Sequence, residues 1–152
     1  MRAVGRLVLL GLACGWSAAR ATDWGPWPLN PQSHFVAAGY KHDDGGALIV
    51  MCDTDRKLIS LALEEPRANW TQGTAIKFMT RTDDGAQLND DVGLAVDKTH
   101  VVLTEPSTWH LNAMGKAHGT FAVGTGEYAR IFPAPNFRNA VEPVLKACGD
   151  HW

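Results

Sequence analysis

The chain has 152 residues, with 14 Lys and Arg set against 16 Asp and Glu, and 45% of it is hydrophobic. That length allows one domain with a sizeable core and not two. There is no basic surplus of the kind a nucleic-acid or anionic-membrane surface requires.

The first 21 residues read as an export leader. Arg2 and Arg6 make a basic start, Leu7 to Trp16 a short apolar run, and Ala19-Arg20-Ala21 a small-x-small cleavage site. The run is shorter than the ~20 residues that span a bilayer, and no later segment approaches that length. Cleavage is expected before Thr22, with Arg20 as the second choice. A lipid anchor at Cys14 is disfavoured, because Gly11 stands where the lipoprotein motif wants Leu. The leader takes three of the 14 basic residues and none of the 16 acids, which leaves 11 against 16 and a net charge of −5. Cys52 and Cys148 then remain, and two thiols in an oxidising compartment most simply pair.

Residues 22–33 (TDWGPWPLNPQS) hold three prolines and two tryptophans without helical or strand period. They read as an extended arm whose Trp24 and Trp27 either pack onto the domain or dock a partner. From residue 34 to 152 the chain reads as a single β-rich domain. Strands are expected over 34–39, 47–52, 57–63, 75–81, 92–96, 100–104, 120–123 and 128–132. Turn-forming runs such as Asp83-Asp84-Gly85 separate them. In the 75–81 strand, Ile76 and Phe78 should face inward and Lys77, Met79 and Arg81 outward. Short strands in such number predict an antiparallel β-sandwich or barrel.

A short helix is expected over 107–117, behind Pro106. The last helix is clearer: Ala140, Val141, Val144, Leu145 and Cys148 form one apolar stripe. Asn139 and Glu142 have the spacing of an amide capping box; Pro143 would then fall in the first turn, and Gly149 suits the stop. That stripe turns Cys148 toward the strand carrying Cys52, so a disulfide should tie the C-terminal helix to an early strand.

Catalytic signatures are missing from the mature chain: it has no GxSxG, P-loop, HExxH or GxGxxG. Gly124-Thr125-Gly126 reads as a tight turn, and Ser33, Ser60 and Ser107 lack a nucleophile elbow. His42, Asp43 and Asp44 form the densest run of metal-ligating types. They read as a solvated turn, with a weak divalent-cation site as the alternative, and no cofactor is expected. His100, His110 and His118 can meet only through the fold. Glu64-Glu65 and Asp90-Asp91 read as solvated acids, and Asn69-Trp70-Thr71 is a formal glycosylation sequon.

With a Trp-rich arm, one cysteine in an early strand and one in the final helix, the chain is similar to small exported proteins of Gram-negative bacteria; Phe121-Ala122-Val123-Gly124 and the apolar C-terminal stripe resemble the invasion-associated locus B family, from whose usual pattern the cysteine placement departs. These are periplasmic β-rich proteins of Gram-negative bacteria. The resemblance carries over no site residue and implies a periplasmic, non-catalytic role. The expected function is binding of a partner, another envelope protein. The alternative is a hydrolase of envelope polymers whose acids or histidines meet only in three dimensions.

Overall fold

A computed structural model describes residues 23–85, 91–106 and 108–152. The expected leader with Cys14, together with Asp90 and Ser107, lies outside the described residues. The elements are β1 (Gly25–Pro26), β2 (Phe35–Lys41), β3 (Ala47–Asp53), β4 (Leu58–Glu64), β5 (Ala75–Thr82), β6 (Asp91–Ala95), β7 (His100–Thr104), α1 (Thr108–Lys116), β8 (Thr120–Thr125), β9 (Tyr128–Pro133) and α2 (Phe137–Ala147).

The strands form one antiparallel sheet in the order β1-β2-β3-β4-β7-β6-β5-β8-β9. Placing β5, β6 and β7 as a meander whose last strand returns beside β4 is a Greek-key arrangement. Alternation within each strand separates two faces. On the inner face, Leu48, Val50 and Cys52 of β3 join Leu61, Leu63, Phe78, Val101, Phe121, Val123 and Phe132 in the main core. On the outer face, Ala37, Ile49 and Ala62 form a second cluster with Trp27, Met51 and Val102. The unbroken apolar run of β3 is thereby explained, because both of its faces are covered.

The sheet curls until its ends meet. Trp24, just ahead of β1, packs on Phe121 and Phe132 of β8 and β9, with ring centroids 5.9 and 6.1 Å away. Its indole N–H donates to the carbonyl of Pro133 at 2.6 Å. The result is a barrel-like domain. Helix α2 packs against β2 and β3, and α1 against β5.

The last helix begins three residues earlier than the capping-box spacing predicts. Asn136 precedes it in a left-handed conformation (φ 66°) with no side-chain cap; its amide instead donates to Asp23 at 2.9 Å. The cause is Phe137, fully buried against Trp24 and Phe121, which extends the stripe to Phe137, Val141, Val144 and Leu145. Pro143 therefore lies inside the helix and not in its first turn. The intrahelical bond it removes would have ended on Asn139, which is exposed, so water can take that carbonyl. Gly149 (φ 81°) ends the helix as expected.

The disulfide joins Cys52 of β3 to Cys148 at the end of α2, with Cα atoms 5.7 Å apart and a sequence separation of 96. Closing so long a loop is worth up to ~4.7 kcal/mol in the chain-entropy model. Cys148→Ala is therefore expected to lower the unfolding free energy by about 2–5 kcal/mol in urea titrations. A loss below about 0.5 kcal/mol, the range of ordinary surface changes, would mean that packing alone holds α2.

Candidate functional site

Among the described residues, two polar clusters occupy the interior. The first is built on Glu65, which has no exposed surface. It accepts Arg67 Nε at 2.7 Å and Nη2 at 2.8 Å, and Arg130 Nε at 2.8 Å and Nη2 at 3.0 Å. Arg130 uses its third nitrogen, Nη1, on both oxygens of Asp44, at 2.9 and 3.0 Å. The Arg67 hydrogen bonds act most strongly on the Glu65 carboxyl, burial opposes them, and Arg130 adds to them. Together they hold its pKa at about 2 instead of 4.5. The Arg67 guanidinium also lies over the Tyr128 ring at 5.5 Å. Every acceptor here is already matched by a fork-shaped donor, which is the geometry of a fastener joining β4, the β2–β3 turn and β9.

The second cluster is Thr80, His110 and Asp91. Thr80 Oγ1 lies 2.8 Å from His110 Nδ1, and His110 Nε2 lies 2.8 Å from Asp91 Oδ2. The carboxylate can only accept, so Nε2 carries a proton; with the imidazole neutral, Nδ1 accepts from the threonine hydroxyl. Hydroxyl, imidazole and carboxylate in series have the connectivity of an acyl-transfer relay. The hydroxyl, however, belongs to a side chain that is 1% exposed, and His110 is 0% exposed. No substrate atom can approach it in this conformation. What the chain of bonds does is fix α1, through His110, onto β5 and the first residue of β6.

The expected site residues part company. His42 packs its ring on Tyr40 and Phe132, with centroids 5.1 and 5.0 Å away; Asp43 is exposed; Asp44 faces Arg130. His100 bonds Asp97 at 2.9 Å, away from His110, and His118 is exposed. Of the two solvated-acid pairs, Glu65 is a correction: it is buried because Arg67 and Arg130 neutralise it. Asp91 is drawn into the His110 bond. For the tryptophans, packing describes Trp24, which is 6% exposed. Trp27 lies half-buried across Gly39 on the outer face, where an added Cβ would fall 2.6 Å from its ring.

Sequence reasoning passed over Thr80 and Arg130, and the signal was there. Thr80 and Thr82 continue the inward phase of Ile76 and Phe78, and Arg130 shares the phase of Phe132. Polar residues at inward positions ask for partners.

The outer face carries one further feature. Leu94 of β6 pairs with Val102, so it extends the cluster that Trp27 covers, but none of the described residues covers it. Val92, Leu94 and Val96 are 64, 54 and 44% exposed, a row of aliphatic side chains at two-residue spacing.

No protein-family model matches the chain, and neither the curated proteins nor the solved structures contain a match to it.

Two outcomes follow from the interior clusters. The folded protein keeps Glu65 ionised at acidities where the unfolded chain has protonated it. Its stabilisation is therefore complete above about pH 4.5 and lost as the pH falls to about 2, an amount on the order of 3 kcal/mol. Urea unfolding across that interval should show the decline, and Glu65→Gln should flatten it; an equally steep decline in the variant would assign the acid loss to other carboxylates. His110→Ala should cost about 2–4 kcal/mol, because it opens a cavity and strips Thr80 and Asp91 of a partner. Wild-type stability in that variant would defeat the fastener reading and favour a catalytic one.

Proposed function

We propose that the mature chain is a non-catalytic exported binding protein, and that it holds an apolar segment of another envelope protein on the outer face of its sheet. The observation that carries this is the row of Val92, Leu94 and Val96, exposed among the described residues and continuous with the cluster under Trp27. Aliphatic side chains in a contiguous exposed row mark interaction surfaces more than scattered single ones do. The interior chemistry, by contrast, is consumed by its own partners. Export is supported by the leader-like start and by a disulfide of the kind that oxidising compartments allow. The likeness to the locus B family points the same way. The net charge of −5 after cleavage disfavours nucleic acid and anionic lipid as the occupant.

A hydrolase is the second reading, and Thr80–His110–Asp91 is the one observation that favours it. Burial of the hydroxyl weighs against it.

A photo-cross-linking residue placed at position 94 should trap one defined envelope protein in intact cells, and the same probe at Asn69 should not. With the probe kept at position 94, Val92→Asp should abolish the adduct while shifting stability by no more than about 0.5 kcal/mol, as an exposed position allows. No discrete adduct at position 94, or the same adduct from both positions, would rule out this face as the binding surface.

A further inference from the structure

His34, Asp53 and Asp55 come together where the arm enters β2 and where β3 turns toward β4. One ligand atom from each lies within 4.8 Å of the others. The backbone fixes this meeting. Phe35 stands opposite Asp53 in the β2–β3 ladder, and Thr54 donates both its N–H, at 2.9 Å, and its hydroxyl, at 2.7 Å, to the carbonyl of His34.

The three side chains are unequally committed. Asp53, 12% exposed, gives Oδ1 to the N–H groups of Asp55 and Arg56, each at 3.1 Å. Its Oδ2 has the Arg56 Nε at 3.8 Å, beyond hydrogen-bond length. Asp55 Oδ2 stands 3.8 Å from His34 Nδ1, again too far for a bond. Two carboxylates and an imidazole are thus gathered at close range without bonding one another. Arg56, 76% exposed, is free to swing aside.

We propose that His34, Asp53 and Asp55 bind a divalent transition-metal ion of the zinc class. An imidazole nitrogen with two carboxylate oxygens suits such an ion, whereas calcium and magnesium take sets of oxygen ligands. Three protein ligands leave the remaining position to water. The exposure of His34 and Asp55, 53 and 72%, admits the ion from solvent and lets both side chains rotate onto it, while Asp53 stays anchored. Bound there, the ion ties the end of the arm to the β3–β4 turn. The inference does not depend on the binding face proposed above.

The test uses the tag-free mature protein, stripped with a chelator and titrated with Zn²⁺ by calorimetry and with Co²⁺ by visible absorption. One equivalent of each ion should bind. His34→Ala should abolish binding, and Asp55→Asn should weaken it by about tenfold or more, as losses at metal sites do. His100→Ala, which removes the imidazole between Asp97 and Glu64, should leave it unchanged. Circular dichroism should show all three variants folded, since the altered side chains are not buried. No saturable binding, binding retained in His34→Ala, or a loss shared equally by His100→Ala would each overturn the site.

Discussion

A carboxylate with no exposed surface survives ionised only beside a matched cation, and Glu65 sets that requirement for the whole sheet. The cation that buries with it, Arg130, is on the last strand, 65 positions away in sequence. To reach Glu65 the sheet must roll until β9 comes over the end of β4 and the β2–β3 turn. The approach is so close that an ideal Cβ at Gly46 would lie 2.0 Å from the Arg130 guanidinium carbon. Glycine at that position is a consequence of the ion pair. Among the described residues β9 pairs with β8 alone, so the gap at the sheet's ends is bridged by side chains: Arg130 at one point and the Trp24 indole at another.

Closure by side chains shapes what is left for function. Here the forked contacts of Glu65, Arg67 and Arg130 and the Thr80–His110–Asp91 series perform the closing and fastening, and each is matched internally. The binding role proposed above therefore rests on the surface. The two tryptophans of the arm illustrate the division: they sit on opposite faces of the same sheet edge, Trp24 in the core and Trp27 over Gly39, Ile49 and Ala62. Beyond Trp27 the same apolar row runs on to Leu94, which is exposed among the described residues.

The strands were legible because alternation is a local signal, and so was the Cys52–Cys148 bond, since only two cysteines remain after the expected leader. The start of α2 was not. Local spacing favoured Asn139 as its cap, whereas Phe137 is drawn into the helix by Trp24, a contact across more than a hundred residues. The polar clusters were hidden for the same reason. Glu65 looked like one of two solvated acids until Arg130 was placed over it, and the hydrogen bonds that link Thr80 to His110 and His110 to Asp91 cross between elements. Inward-phase polar residues on β5 and β9 signalled that partners were needed but could not say which.

The end of β3 shows how several local costs are reconciled at one point. Lys57 adopts φ 58°, a left-handed conformation that costs a non-glycine residue roughly 1–2 kcal/mol. Glycine would avoid that cost, but it has no ammonium group. Lys57 Nζ donates to the carbonyl of Ala147 at 2.8 Å, at the C-terminal end of α2, where a cation is favoured by the helix dipole and satisfies a carbonyl that the helix leaves open. The disulfide fastens the same helix end to Cys52. The turn from Asp53 to Lys57 is thus held at its base by a covalent bond and at its exit by a charge, while Thr54 holds the arm at His34. A turn pinned on three sides loses little further freedom when its exposed Asp55 is recruited by a ligand, and so pays little entropy to gather His34, Asp53 and Asp55 around one ion.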